Sequence, residues 1–155
     1  MTIVVRSMID IDYEEVHKVD LLTQRQYLGE KFDQMSEEEQ NSHLVSRKSE
    51  FHINVATGHC FVAENEEGII GFTLAHETLP FHGTLYIRYI GINPDLQGRG
   101  IGLLLYEKLI EKARQTGIKE IRALINTDNP RSIELHKKAG FGLSDCKEAV
   151  MKLWG

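Results

Sequence analysis

Apolar positions along the chain change their period several times, and each change marks a new element. A short β-type run, Ile3–Arg6, opens it. Asp12 with Glu15 three positions on reads as a capping box, and Val16, Val19 and Leu22 then recur at helical spacing. Ser36 and Glu39 repeat the signal before a second helix, whose apolar face is Leu44, Val45, the stem of Lys48, Phe51 and Val55; Thr57-Gly58 ends it. Cys60–Ala63 and Ile69–Ala75 are strand-like and joined by the polar turn Glu64–Gly68, a hairpin. Pro80–Gly83 breaks the chain, and Leu85–Ile92 is a third strand of β-branched and aromatic residues. A glycine-rich turn leads into a helix over Ile101–Gln115, stopped by Gly117, with Leu105, Leu109, Ala113 and Leu103, Tyr106, Ile110 as its buried side. Ile118–Asn126 is a strand. Asn129-Pro130, an N-cap with proline at the first helical position, opens a helix that Gly140 closes. Phe141–Leu143 and Ala149–Trp154 read as two final strands. The predicted order, β-α-α-β-β-β-α-β-α-β-β, is a mixed α/β domain on one sheet, a single domain over residues 1–155.

Composition narrows the function classes without choosing one. A chain of 155 residues buries roughly 70% of its unfolded surface. Its net charge of −5, from 18 Lys+Arg against 23 Asp+Glu, disfavours phosphate-led nucleic-acid binding. No apolar run approaches the roughly 20 residues of a membrane helix, and Met1–Asp12 has no signal-peptide core. We therefore expect a cytoplasmic protein without membrane or nucleic-acid partners. Cys60 and Cys146 read as two small buried thiols. His52, His59 and Cys60 come nearest to a ligand cluster but lack metal-site spacing, so no metal is expected.

The chemistry sits in Ile90-Gly91-Ile92-Asn93-Pro94-Asp95-Leu96-Gln97-Gly98-Arg99-Gly100-Ile101-Gly102. A strand runs into alternating glycines and at once into a helix. Glycines let a ligand approach the backbone, and the first helical amides have no internal partner, so the turn suits a phosphate or pyrophosphate. A plain glycine turn capping a helix is the bland alternative. The ATP loop needs Gly-Lys-Ser/Thr, which is missing, and the dinucleotide fingerprint needs a glycine where Leu105 stands.

Gln97-x-x-Gly100-x-Gly102 after a strand ending Ile92-x-Pro94 resembles the acetyl-CoA pyrophosphate loop of the GNAT superfamily of N-acetyltransferases. Asn129-Pro130-Arg131-Ser132-Ile133-Glu134-Leu135-His136-Lys137-Lys138-Ala139-Gly140-Phe141 resembles that family's segment after the fifth strand. The resemblance implies a mixed central sheet splayed in the middle, with helices on both faces. It implies acetyl-CoA as co-substrate, its pyrophosphate on the amides of Gln97, Gly98, Arg99, Gly100, Ile101 and Gly102, with Arg99 adding charge. The backbone of Ile90, Gly91 and Ile92, bulged in the family, would pair with the pantetheine arm and offer an N–H to the thioester carbonyl. Asn129 would contact that arm from the other side, and Lys137 or Lys138 would reach the ribose 3′-phosphate unless the pair is simply a solvated helix face.

The implied reaction is direct attack of a neutral amine on the thioester. Where the family often has a tyrosine acid, this chain has His136, on one helical face with Ser132, the face that would hold the coenzyme; His136 serves either as the acid or as a ring that merely packs or hydrogen-bonds to coenzyme atoms. The third strand has no carboxylate, so Glu77 beside His76 is the candidate base, with an ordinary strand-end acid as the alternative. The acceptor, a small-molecule or peptide amine, would be framed by Asp20–Ser36, Glu37–Val55 and Leu79–Thr84, a region made acidic by Glu30, Asp33 and Glu37–Glu39. The rival function is a non-catalytic acyl-CoA sensor on the same fold. Many domains of this architecture pair, which allows a homodimer.

Overall fold

The computed structural model describes residues 1–78 and 83–153, and for 41–47 the backbone alone. Five strands form one sheet in the order β1 (Val4–Ser7), β2 (Phe61–Asn65), β3 (Gly68–Glu77), β4 (Thr84–Ile92), β5 (Glu120–Ala123). The first three junctions are antiparallel and β4–β5 is parallel, so the sheet is mixed as predicted. Helices α1 (Tyr13–Leu28), the short α2 (Glu30–Gln34) and α3 (Glu37–Ala56) precede β2; α4 (Ile101–Gln115) crosses from β4 to β5, and α5 (Pro130–Ala139) follows β5.

Side-chain alternation along the strands builds two cores. On one face Ile70, Leu85 and Ile87 meet Ile101, Leu105, Tyr106 and Leu109 of α4. On the other, Val62, Phe72 and Leu74 meet Val16 and Val19 of α1 and Phe51 of α3. Period-2 strands between two period-3.6 stripes require this layering.

Several local expectations change. The capping box at Ser36 forms, Oγ accepting the Glu39 amide at 3.1 Å and the Glu39 carboxylate accepting the Ser36 amide at 3.3 Å. The one at Asp12 does not. The Asp12 carboxylate accepts two bonds from the Arg6 guanidinium, both 2.9 Å, while Glu15 accepts the Ile69 amide of β3 at 2.9 Å. Tertiary partners outcompete the local cap because a charge-assisted pair is stronger. Leu22 is 41% exposed, and Leu44 and Val45 lie outside the described side chains. Cys60 is buried, but Cys146 is exposed.

The two final strands are not formed. Phe141–Leu143 is irregular, as is the described part of Ala149–Trp154, and every residue from Gly142 to Leu153 is exposed. Alternating apolar residues mark a segment able to pair; a strand exists only where a sheet edge lies beside it.

Candidate active site

β4 and β5 are paired only from Thr84–Ile87 to Glu120–Ala123. Beyond that the strands part, and both chains then turn into helix N-termini, α4 after β4 and α5 after β5. The result is a V-shaped opening at the carboxyl ends of two parallel strands, where α/β sheets place their ligands. On its other edge β4 stays bonded to β3, with Thr73 opposite Ile90, Phe72 opposite Gly91 and Gly71 opposite Ile92. A register shift between Leu74 and Ala75 leaves Arg88 as the bulged residue. The bulge therefore precedes Ile90–Ile92 instead of falling within it.

The α4 lip is built from backbone. Asn93 Oδ1 accepts the Asp95 amide at 3.1 Å, and the Asn93 amide is held by the Ile70 carbonyl at 2.8 Å, so the loop leaves β4 in one direction. Gly98 and Gly100 have φ of 78° and 80°, and a Cβ on either would meet nothing within 4 Å. Those two glycines face open space; the conformation demands them. Gly91 and Gly102 differ. A Cβ at Gly91 would lie 2.7 Å from the Phe72 ring, and one at Gly102 2.9 Å from Leu135, so their bareness serves packing of β4 on α1 and of α4 on α5. The first-turn amides of Ile101, Gly102 and Leu103 have no carbonyl four residues back within the helix, and they end on this lip.

Side chains cross the opening. Gln97 and Gln26 of α1 bond reciprocally at 2.9 and 3.0 Å, Gln97 Nε2 also donates to the Ile92 carbonyl at 3.3 Å, and Arg131 of α5 donates to Gln97 Oε1. Tyr27 of α1 donates to Asp128 and accepts from Asn126, both at 3.0 Å. The bond to Asp128 raises the Tyr27 pKa. Gln26, Tyr27, Asn126 and Asp128 carried no signal in the sequence beyond their polarity, and Arg131 stood only within the Asn129–Phe141 motif. They matter only because α1 lies across the gap.

On the α5 lip Asn129 caps its helix, accepting the Ser132 amide at 3.2 Å. Arg99 and Lys138 are exposed. Lys138, nine residues from Asn129, sits about 13 Å along the helix from this lip.

His136 is 2% exposed. Its Nδ1 donates to the Ser132 carbonyl at 2.6 Å, because a carbonyl only accepts; Nε2 therefore accepts the Tyr106 hydroxyl proton at 2.6 Å. Burial lowers the His136 pKa and raises that of Tyr106. The ring packs edge-on to Tyr106 and Phe141, with centroids 5.3 and 5.1 Å away. Both ring nitrogens are engaged inside the protein, by Tyr106 and by the Ser132 carbonyl.

Glu77 closes the β3–β4 hairpin, its Oε1 accepting the Gly83 amide at 2.9 Å. It lies four residues beyond Thr73, the partner of Ile90, which is about 13 Å along the strand. The other half of the pair faces α3: the His76 ring lies 5.8 Å from that of Tyr86, and burial lowers its pKa. Glu50 of α3 reaches the bulged Arg88 at 3.4 Å. One Glu50 oxygen is buried without a hydrogen-bond partner among the described residues. Between α1, α3 and the sheet, a small cleft of about 20 Å³ is lined by Tyr13, His17, Asp20, Phe51, Phe72 and Tyr89. Residues 79–82 of the expected acceptor frame lie outside the described chain. Of the weak histidine cluster, His52 pairs with Asp10 and His59 with Thr116, each at 3.0 Å. Among the described residues no helix is long and apolar enough to cross a membrane.

Residues 19–141 match the Acetyltransferase (GNAT) family. The L-methionine sulfoximine/L-methionine sulfone acetyltransferase of Pseudomonas paraeruginosa is 31% identical over 121 residues, 72% of this chain and 67% of that protein. An L-2,4-diaminobutyric acid acetyltransferase of Shouchella clausii is 34% identical over 57% of this chain and 50% of its own length. In fold, the chain is similar to the PaiA N-acetyltransferase of Thermoplasma acidophilum in complex with coenzyme A, with a TM-score of 0.79 at 18% identity over 95% of this chain and 94% of the other.

Proposed function

We propose that this chain, which belongs to the GNAT family of acetyltransferases, moves the acetyl group of acetyl-CoA to the primary amine of a small molecule by direct attack. The observation that carries this reading is the V between β4 and β5, open on its β4 edge and ending on one lip in glycines that face solvent at positive φ. Such a lip fits a pyrophosphate: its free amides carry the positive end of the α4 dipole, and no side chain fills the space beside Gly98 and Gly100. Bound there, acetyl-CoA supplies an activated acyl group. Amides 97–102 hold its phosphates, the free edge of Arg88–Ile92 takes the pantetheine arm as an added strand, and Asn129 bounds it opposite.

The acceptor side is the α1–α3 face. The small cleft beside Tyr89 carries Asp20 and aromatic walls, an acidic and aromatic surface that favours the approach of a cationic amine. An amine with a pKa near about 10 must lose a proton before it attacks. Glu50, beside the bulge and close to His76, is the proton acceptor on this reading; Glu77, tied to its hairpin, is not. His136 is not the acid: it is neutral and its nitrogens are occupied. The leaving thiolate, with a thiol pKa near about 8.5 if cysteine-like, departs without one.

That missing acid is also what favours the second reading, a sensor that binds acyl-CoA without turnover. Calorimetric titration with acetyl-CoA, on wild type and Gly100→Glu, tests the cradle, and a rate assay against amino acids, diamines and aminoglycosides then separates enzyme from sensor. Saturable binding lost in the variant, followed by thiol release with one amine class, is the expected result. Binding without thiol release from any class selects the sensor; no binding overturns both.

A further inference from the structure

The β4 bulge turns a cation toward the acceptor side. Ile87 and Ile90, three residues apart, both pack on the α4 side of the sheet, which regular alternation forbids. The bulge at Arg88 accounts for it and directs Arg88 and Tyr89 together toward α1 and α3. Tyr89 lines the cleft there, and the Arg88 guanidinium lies 5.4 Å over its ring and reaches Glu50 of α3.

Neither member of that pair is saturated. The contact is long, 3.4 Å, and among the described residues the other N–H groups of Arg88 have no hydrogen-bond partner. On Glu50 the second carboxylate oxygen is buried and unpartnered among the described residues. A guanidinium offers a fork of donors that matches a carboxylate, and an unpaired buried oxygen is costly until a donor meets it. His76 beside them adds no further positive charge, since burial first and Arg88 next lower its pKa. The site therefore presents one positive and one negative group, each with capacity to spare. Because they stand 3.4 Å apart, the two charges they receive must be neighbours as well.

We propose that the acceptor is an α-amino acid, its carboxylate held by Arg88 and its ammonium by Glu50. This deepens the acetyltransferase reading and rests on it. In an α-amino acid a single carbon separates the two charged groups, which fits the spacing of the pair. Arg88 precedes Ile90 by two residues, about 7 Å along the strand, so an amine held beside it stands near the edge given above to the thioester. The ammonium gives one proton to Glu50. The amine nitrogen then bonds the acetyl carbon as the C–S bond breaks, and the second proton it sheds leaves with the sulfur as free thiol. The same arginine excludes polycations. A polyamine or an aminoglycoside would bring further positive charge against Arg88, and against Lys48, whose Nζ lies 5.2 Å over the Tyr13 wall of the cleft.

The test is thiol release from acetyl-CoA with matched pairs of acceptors: each common L-α-amino acid against the amine that lacks only its carboxylate, with spermidine and kanamycin alongside. For at least one amino acid kcat/KM should exceed that of its amine by about a hundredfold or more, and spermidine and kanamycin should release no thiol. Arg88→Gln should pull that ratio toward one, through KM for the amino acid, and Arg88→Lys, which keeps the charge, should restore part of it. Both members of a pair meet the same protein, so the ratio is insensitive to any loss of folding or of coenzyme affinity. Equal use of amino acid and amine, transfer to spermidine or kanamycin, or a ratio that Arg88→Gln leaves intact overturns this inference while the acetyltransferase reading stands. No thiol release from any class overturns both.

Discussion

The two lips of the V are both helix N-termini, yet they are built in opposite ways. The α5 lip is closed by a side chain, Asn129, which spends its carbonyl on the Ser132 amide. The α4 lip has no side-chain cap: Gly100, at φ 80°, precedes Ile101 and leaves the first-turn amides outward. A capped terminus has a first-turn amide satisfied, whereas an uncapped one flanked by open glycines leaves its amides available. The same contrast recurs among the glycines, where Gly98 and Gly100 face space and Gly91 and Gly102 face packed side chains.

The largest expected effect comes from filling the open lip. Gly100→Glu places a carboxylate where the phosphates bind and forces an L-residue to positive φ; acetyl-CoA affinity should fall more than about a hundredfold, roughly 3 kcal/mol, read by calorimetry. Folding should suffer less, by about 1 kcal/mol. Gly91→Ala inverts the pattern. The rigid Phe72 ring cannot yield easily to a Cβ 2.7 Å away, so stability should drop by about 1–3 kcal/mol in urea denaturation. Coenzyme affinity per folded molecule should fall far less than in Gly100→Glu, because Gly91 would meet the pantetheine arm through its backbone alone; an equal loss would overturn the contrast between the two glycines.

His136→Phe sharpens the picture on the α5 side. Losing the imidazole strands the Tyr106 hydroxyl in the core, costing about 1–3 kcal/mol. kcat should be nearly unchanged, and a large drop would restore the acid role. The pH dependence follows from the same pair. Because burial depresses the folded His136 pKa, its contribution is complete above the unfolded value near about 6.5 and is lost as pH falls below it. Because burial raises the Tyr106 pKa, its contribution is complete below about pH 10 and is lost above it. Denaturation midpoints from pH 5 to 8 should therefore slope in wild type and slope less steeply in His136→Phe, the remaining slope coming from buried His59 and half-buried His76. The smallest effect belongs to Gly102→Ala, where a flexible Leu135 methyl must shift but a helical glycine is removed; the opposing terms should cancel to within about 1 kcal/mol.

Much of the site was legible because it is local. The α4 boundaries follow from Gly100 and Gly117, the α5 start from Asn129-Pro130, and the open, uncapped lip from glycine spacing next to a helix start. His136 shows the limit. Its position on the helix was readable, but its role hinges on Tyr106, thirty residues earlier, which supplies the proton that occupies Nε2. Glu77 shows the same limit along a strand, since only the register with β4 reveals how far it lies from Ile90.

What the sequence determined by itself is what short-range physics controls: the periods of the strands and helices, the conformations only glycine can adopt, and the amides an uncapped helix start must expose. Tertiary structure decided everything that needs a partner distant in sequence. Glu15 left the cap for the Ile69 amide of β3, α1 came to span the V through Gln26 and Tyr27, and the last described apolar residues pair with no strand of the described chain. Local preferences are worth about a kilocalorie per residue or less. A charge-assisted bond or a shared core is worth more, so wherever the two compete the fold follows the distant partner.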